Sequence, residues 1–187
     1  MPALSAHPQS LLTLRLTLAP LGPEHATALF EAFADAEVWR FIPSEPPVSP
    51  ASLAARFART VGGPAAADER WWNWAVALRA ADNVPFGSVE LSLARGGRHA
   101  TLAYMFGRRA WGYGYACEAC GAALDYLREA APVATVDALI DTRNARSIAL
   151  ARRLRFERIE TLANADYFKG SASDEYRYRW RPPARAL

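Results

Sequence analysis

The chain has 187 residues, 51% of them hydrophobic and 22% charged, enough apolar material for one core of ordinary size but cramped for two domains. Its net charge of +3 and pI near 9.1 come from arginines scattered along the chain, with Lys169 the only lysine, and no run of them makes the basic stripe of a nucleic-acid binder. No stretch approaches the roughly 20 apolar residues that cross a bilayer, and the N-terminus lacks a basic region followed by an apolar core. The expectation is a cytoplasmic protein with no membrane or nucleic-acid partner.

In chain order, residues 11–18 alternate leucine with Thr and Arg, the period of a strand with one buried face. Pro23 opens a helical stretch in which Ala26, Leu29, Phe30 and Phe33 recur at helical spacing. Ser49 and Pro50 then supply an N-cap and a first-turn proline for a second helix reaching Val61. Between the two, residues 38–47 are rich in proline and carry Trp39, Phe41 and Ile42, which reads as a loop. Residues 72–78 and 86–93 are strand-like and joined by a polar turn at Ala81, Asp82 and Asn83. The Arg95-Gly96-Gly97-Arg98 turn leads into a third strand of this meander, residues 100–106. Residues 115–130 carry a long helical pattern, followed by a strand at 135–140 and a helix from Asn144 to about Leu154. Strands at 156–162 and 175–180 close a single domain, residues 11–181, with 1–10 and 182–187 as loose ends.

Cys117 and Cys120 have the C-x-x-C spacing of a redox pair or of half a zinc site. His7, His25 and His99 stand far apart and supply no paired ligands, so no metal is expected. Two small residues on one helix is the simpler account.

The segment most informative about chemistry is residues 109–116, which joins a strand to a helix through Gly112 and Gly114. Successive backbone N–H groups curling into a helix N-terminus form an anion-binding concavity, and the helix dipole adds partial positive charge there. The same letters also suit a plain strand-to-helix turn. They do not suit the dinucleotide fingerprint, which wants glycine or alanine where Cys117 stands, nor the nucleoside-triphosphate loop, which wants G-K-[ST].

Residues 109–116 do resemble the coenzyme A motif R/Q-x-x-G-x-G/A of the GNAT acetyltransferases, and WGYGYACEA is similar to the W-G-x-G-Y-A-x-E-A form of the RimJ and RimL ribosomal-protein N-terminal acetyltransferases. Downstream, Asn144, Ser147 and the Arg155-Phe156 pair are similar to the family's N-x-x-S segment and its closing G-F, and residues 174–178 resemble its last strand. The resemblance spans roughly residues 14–180. It implies an α+β fold: a mixed, mostly antiparallel central sheet of about seven strands, splayed into a wedge and flanked by about four helices. It also implies acetyl-CoA-dependent N-acetylation of a primary amine, either a protein N-terminus or a small molecule.

On that resemblance the coenzyme pyrophosphate lies on the loop formed with Arg108, Arg109, Trp111, Gly112, Tyr113, Gly114, Tyr115 and Ala116. Pantetheine pairs with the backbone edge at Met105 and Phe106 as an added strand. Asn144 either caps its helix or reaches the pantetheine arm. Ser147 is the candidate group near the sulfur or else a capping or solvent-facing residue, Glu90 the candidate base or simply an exposed strand residue, and Trp39, Phe41 and Ile42 either wall the amine channel or pack their loop onto the sheet. Two departures stand out. Arg155 replaces a glycine, so a left-handed helix cap there would cost about 1 kcal/mol. Thr101, Leu102, Ala103 and Tyr104 include no acidic residue, which leaves the base without its usual position. An acyl-CoA-binding module without turnover and an RNA-binding protein using arginine and aromatic side chains are the readings from other classes.

Overall fold

The computed structural model describes residues 5, 7–64, 69–80 and 83–183. Its strands are β1 (Leu11–Leu12), β2 (Leu16–Pro20), β3 (Arg70–Leu78), β4 (Pro85–Leu93), β5 (His99–Phe106), β6 (Thr135–Asp141), β7 (Glu157–Phe168) and β8 (Ser171–Trp180). The helices are α1 (Ala26–Ala34), α2 (Pro50–Val61), α3 (Tyr115–Ala130) and α4 (Ala145–Arg153). All eight strands form one sheet in the order β1-β2-β3-β4-β5-β6-β8-β7, and of its neighbouring pairs only β5 and β6 run parallel.

The eighth strand comes from a break in the first one. Residues 11–18 do not run straight: the chain turns at Leu14, 88% exposed, and folds Leu11 back onto Leu18. Thr13 holds this turn, its backbone N–H donating to the Leu16 carbonyl and its hydroxyl accepting from the Leu16 N–H. At the other end β7 and β8 are longer than the sequence predicts, because Lys169 and Gly170 take positive φ and close a tight hairpin. A bulge between Leu162 and Asp166 interrupts its alternation, which hides the pattern from a period-two reading. Of the polar turn expected at residues 81–83, Ala81 and Asp82 lie outside the described residues, while Asn83 takes a left-handed φ of 54°.

Strand periodicity assigns the two faces. Trp72, Trp74 and Val76 on β3, Val89 and Leu91 on β4, and Leu102 on β5 point to the side covered by α3 and α4. Ala75 and Met105 point to the other side, where they pack with Leu29, Phe33, Leu53 and Phe57 of α1 and α2. The indole N–H groups of Trp72 and Trp74 need acceptors in this core and find them in the carbonyls of Ser5 (3.0 Å) and Gln9 (2.8 Å). The described part of residues 1–10 is therefore held against the domain, not loose.

Helix ends follow local chemistry. Ser49 and Ser52 exchange side-chain-to-backbone hydrogen bonds of 3.1 Å at the start of α2. At the end of α4 the Phe156 N–H bonds to the Ala151 carbonyl and the Arg155 N–H to that of Arg152, with Arg155 at φ 62°. This is the left-handed cap that glycine normally fills, occupied here by an arginine.

The feature that positions the site is the parting of β5 from β6. They pair only from His99 with Thr135 to Thr101 with Asp137. Beyond that point β5 keeps β4 as partner through Phe106, and β6 keeps β8 through Asp141, so a wedge opens between them.

Candidate active site

A cavity of about 630 Å³ occupies the wedge and is lined from both faces of the sheet. On the α3/α4 side its walls include Tyr104, Phe106, Trp111, Gly112, Gly114, Tyr115, Ala116, Cys117, Asn144, Arg146, Ser147 and Arg153. On the α1/α2 side they include Glu37, Phe41, Ile42, Ser88, Glu90, Ala103, Met105 and Glu175. The parted strands thus join two compartments, one basic and rich in backbone amides, the other acidic.

The amide-rich compartment is built by the glycine loop. Gly112 and Gly114 have φ of 86° and 80°, conformations that side chains rarely adopt. Gly114 is the N-cap of α3 and has no side chain to satisfy the first amides; the first helical bond runs from Glu118 N–H to Gly114 O at 3.1 Å. Amides before Glu118 are thereby without a helical partner, and a pyrophosphate fits this cradle by charge and by the missing side chains of Gly112 and Gly114. Trp111 is pinned by its indole N–H to the Phe106 carbonyl (2.7 Å), and the Arg146 guanidinium lies 4.3 Å from the centre of its ring. That indole takes up one of the backbone acceptors expected to receive pantetheine.

The loop is braced from outside. Glu118, the acidic letter of WGYGYACEA, accepts from Thr13 Oγ1 (2.6 Å), Arg15 N–H (2.9 Å) and Arg15 Nε (2.7 Å). Arg15 also donates to the Tyr113 carbonyl (3.0 Å) and lies 4.7 Å from the centre of the Tyr115 ring.

On α4, Asn144 Oδ1 accepts from the Ser147 N–H at 3.1 Å, so Asn144 caps its helix while also lining the cavity. Glu90 stands opposite Asn73 and Ala103 in the sheet register, on the α1/α2 face. Burial raises its carboxyl above the usual carboxylate range, against the effect of a 3.0 Å hydrogen bond from Ser92 Oγ. Glu175 is likewise raised by burial, and by the nearby charges of Asp166 and Asp141.

Four of the residues expected in the site lie outside the cavity lining. Trp39 is buried to 3% exposure, its indole N–H bonded to the Phe33 carbonyl and Arg56 over its ring, so it packs the loop between α1 and α2 in place of walling a channel. Within that loop residues 36–39 form a 3-10 turn, and the Lys169 ammonium at the β7–β8 hairpin tip donates to the Trp39 carbonyl. Arg108 reaches back to Asp35 at 3.6 Å, Arg109 is exposed, and Tyr113 is 63% exposed with its ring stacked on Tyr115. Conversely, Tyr104, Arg146, Arg153 and Glu175 line the cavity without having been singled out in the sequence. Arg146 and Arg153 were open to discovery, since Arg146 directly precedes Ser147 and Arg153 follows it about two turns along the same helix; Tyr104 and Glu175 become visible only through strand order.

Residues 15–157 match the acetyltransferase (GNAT) domain, and the chain belongs to that family. It is an acetyl-CoA-dependent N-acetyltransferase. It is similar to the uncharacterized N-acetyltransferase p20 of Bacillus licheniformis, 26% identical over 172 residues that cover 91% of this chain and 94% of p20. A GNAT-family acetyltransferase of Bacillus anthracis shares the fold with a TM-score of 0.80 at 19% identity, over 92% of this chain and 98% of that one. The ribosomal-protein-S5-alanine acetyltransferase of Vibrio fischeri has a TM-score of 0.79 at 15% identity, over 93% of this chain and 97% of that one. Among the described residues no helix is long and apolar enough to cross a membrane.

Proposed function

We propose that this chain acts in the cytoplasm and acetylates the free amine of a polypeptide N-terminus, which enters the wedge from the α1/α2 side. The observation that carries the direction of entry is the continuity of the cavity through the sheet, with loop amides at one end and Glu90 at the other. The choice of acceptor rests on the W-G-x-G-Y-A-x-E-A segment and on the fold shared with a ribosomal-protein alanine acetyltransferase.

Acetyl-CoA supplies the thioester that the amine attacks. The loop amides from Gly112 to Cys117, with Arg146 beside them, hold the pyrophosphate. Backbone groups of β5 in the parted stretch hold the pantetheine arm and polarise the acetyl oxygen. Glu90 takes the amine proton, directly or through a water, and burial, which raises its carboxyl, makes it a stronger base than an exposed glutamate. Ser147 faces the sulfur from α4. Phe41 and Ile42 flank the entry of the acceptor.

The test is release of coenzyme A with a panel of amines at low salt: peptides with free N-termini, the same peptides N-blocked, a polyamine and an aminoglycoside. Release with free but not blocked peptides is expected. Release confined to the small amines would move the acceptor to that class, and none with any amine would leave an acyl-CoA-binding module.

A further inference from the structure

Tyr104 lies in the stretch of β5 that has parted from β6, and its ring points to the α3/α4 face. Its hydroxyl is buried and has no hydrogen-bond partner of normal geometry. Buried hydroxyls almost always find a partner, because an unpaired one loses its water and gains nothing in return. Ser147, on α4, is near enough to favour the ionised phenol without satisfying it, and both residues line the same cavity. Cys117 lines it too, but a thiol is a weak donor.

Resting on the acetyl-transfer reading, we propose that the Tyr104 hydroxyl donates the hydrogen bond that stabilises the departing thiolate, with Ser147 beside it. In the reaction the C–N bond forms, the C–S bond breaks, and the amine proton passes to Glu90 or water. Tyr104 keeps its own proton: burial holds the phenol neutral, so it remains a donor while charge builds on the sulfur. Its missing partner is created by the reaction, which makes the bond stronger in the transition state than before it. The native fold tolerates an unpaired hydroxyl whose reward comes only during turnover.

Tyr104→Phe deletes one oxygen and keeps the ring, so its melting temperature should equal or exceed that of the native protein. Turnover should fall on the order of tenfold to hundredfold, the worth of one hydrogen bond to a charged group, with KM for acetyl-CoA within about twofold. Independently of turnover, the thiol of bound coenzyme A, followed by thiolate absorbance, should ionise about one pH unit higher than in the native complex, equivalent to a tenfold loss of stabilisation. Tyr104→Phe should also slow a Ser147→Ala background; a double variant no slower than Ser147→Ala alone would show that Tyr104 works only through Ser147 and overturn the direct bond. An unchanged thiol titration with native turnover overturns the proposal, as does a melting temperature that collapses together with activity. A native protein that binds coenzyme A but releases none from acetyl-CoA with any amine would overturn the acetyl-transfer reading, while the thiol titration would still decide for or against Tyr104.

Discussion

Arg15 and Glu118, 103 residues apart in sequence, are joined Nε to Oε2 at 2.7 Å, so the turn between β1 and β2 grips the first turn of α3. Because Arg15 also holds the Tyr113 carbonyl, it supports the glycine loop without lining the cavity. Arg15→Ala should raise KM for acetyl-CoA several-fold and leave kcat within about twofold, the pattern of a lost ground-state binding contribution. The pair is partly solvated, so the stability loss should stay below about 1 kcal/mol. Steady-state kinetics with varied acetyl-CoA decides; an unchanged KM would make the contact a surface ion pair and nothing more.

Gly114→Val should fold and bind coenzyme A at least about tenfold more weakly, since one blocked set of phosphate contacts is worth more than 1.4 kcal/mol. At φ 80° a branched side chain is strained by roughly 1–2 kcal/mol. The first added carbon would meet only Arg15 Nη2, at 3.6 Å, so the backbone clash is mild and the outer methyls are what obstruct an anion. Calorimetry of coenzyme A binding, with circular dichroism as the folding control, checks it; native affinity in a folded variant contradicts the loop assignment.

Glu90→Gln should fall furthest behind the native enzyme between the ionisation of Glu90 and that of the acceptor amine, and recover toward high pH. The raised carboxyl of Glu90 places the acid limb of the native profile above the usual carboxylate range. Below it, Glu90 is protonated and the native enzyme loses its base as well. Between that limb and the amine's own ionisation the base matters most, and above it solution supplies free amine. The pH profile of turnover for both proteins is the measurement. Parallel profiles would remove Glu90 and leave water held by backbone groups as the proton carrier.

Arg155→Gly should stabilise the fold by about 1 kcal/mol, because glycine meets no penalty at the left-handed φ of 62°. For a chain of this length that is a rise of roughly 2–4 °C in melting temperature. Arg155 is exposed and outside the cavity lining, so kinetics should not change. A melting temperature equal to or below native would show that the arginine side chain contributes something that offsets its backbone strain.

Elements with strong local signals were legible before any coordinates. The helix expected at residues 115–130 is observed as Tyr115–Ala130, and Ser49 caps α2 as its sequence position implies. The wedge was legible only through resemblance, since nothing in the residues of β5 or β6 announces where their pairing stops. Of Trp39, Phe41 and Ile42 only Trp39 is buried, its indole drawn inward by the Phe33 carbonyl, and nothing local in the sequence says which of the three packs the loop and which face the cavity.

By itself, the sequence determined what depends on neighbours a few residues away: helix periodicity, caps, the permissive glycines at 112 and 114, and through their spacing the family. Tertiary structure alone decided which side chains meet. Tyr104 comes beside Ser147 because β5 and α4 are brought together by a parallel crossover, and Glu118 finds Arg15 because α3 packs over the β1–β2 turn. Such pairings turn on strand order and register, and a shift of one residue in β5 would send Tyr104 to the face of Glu90 and empty the wall opposite Ser147.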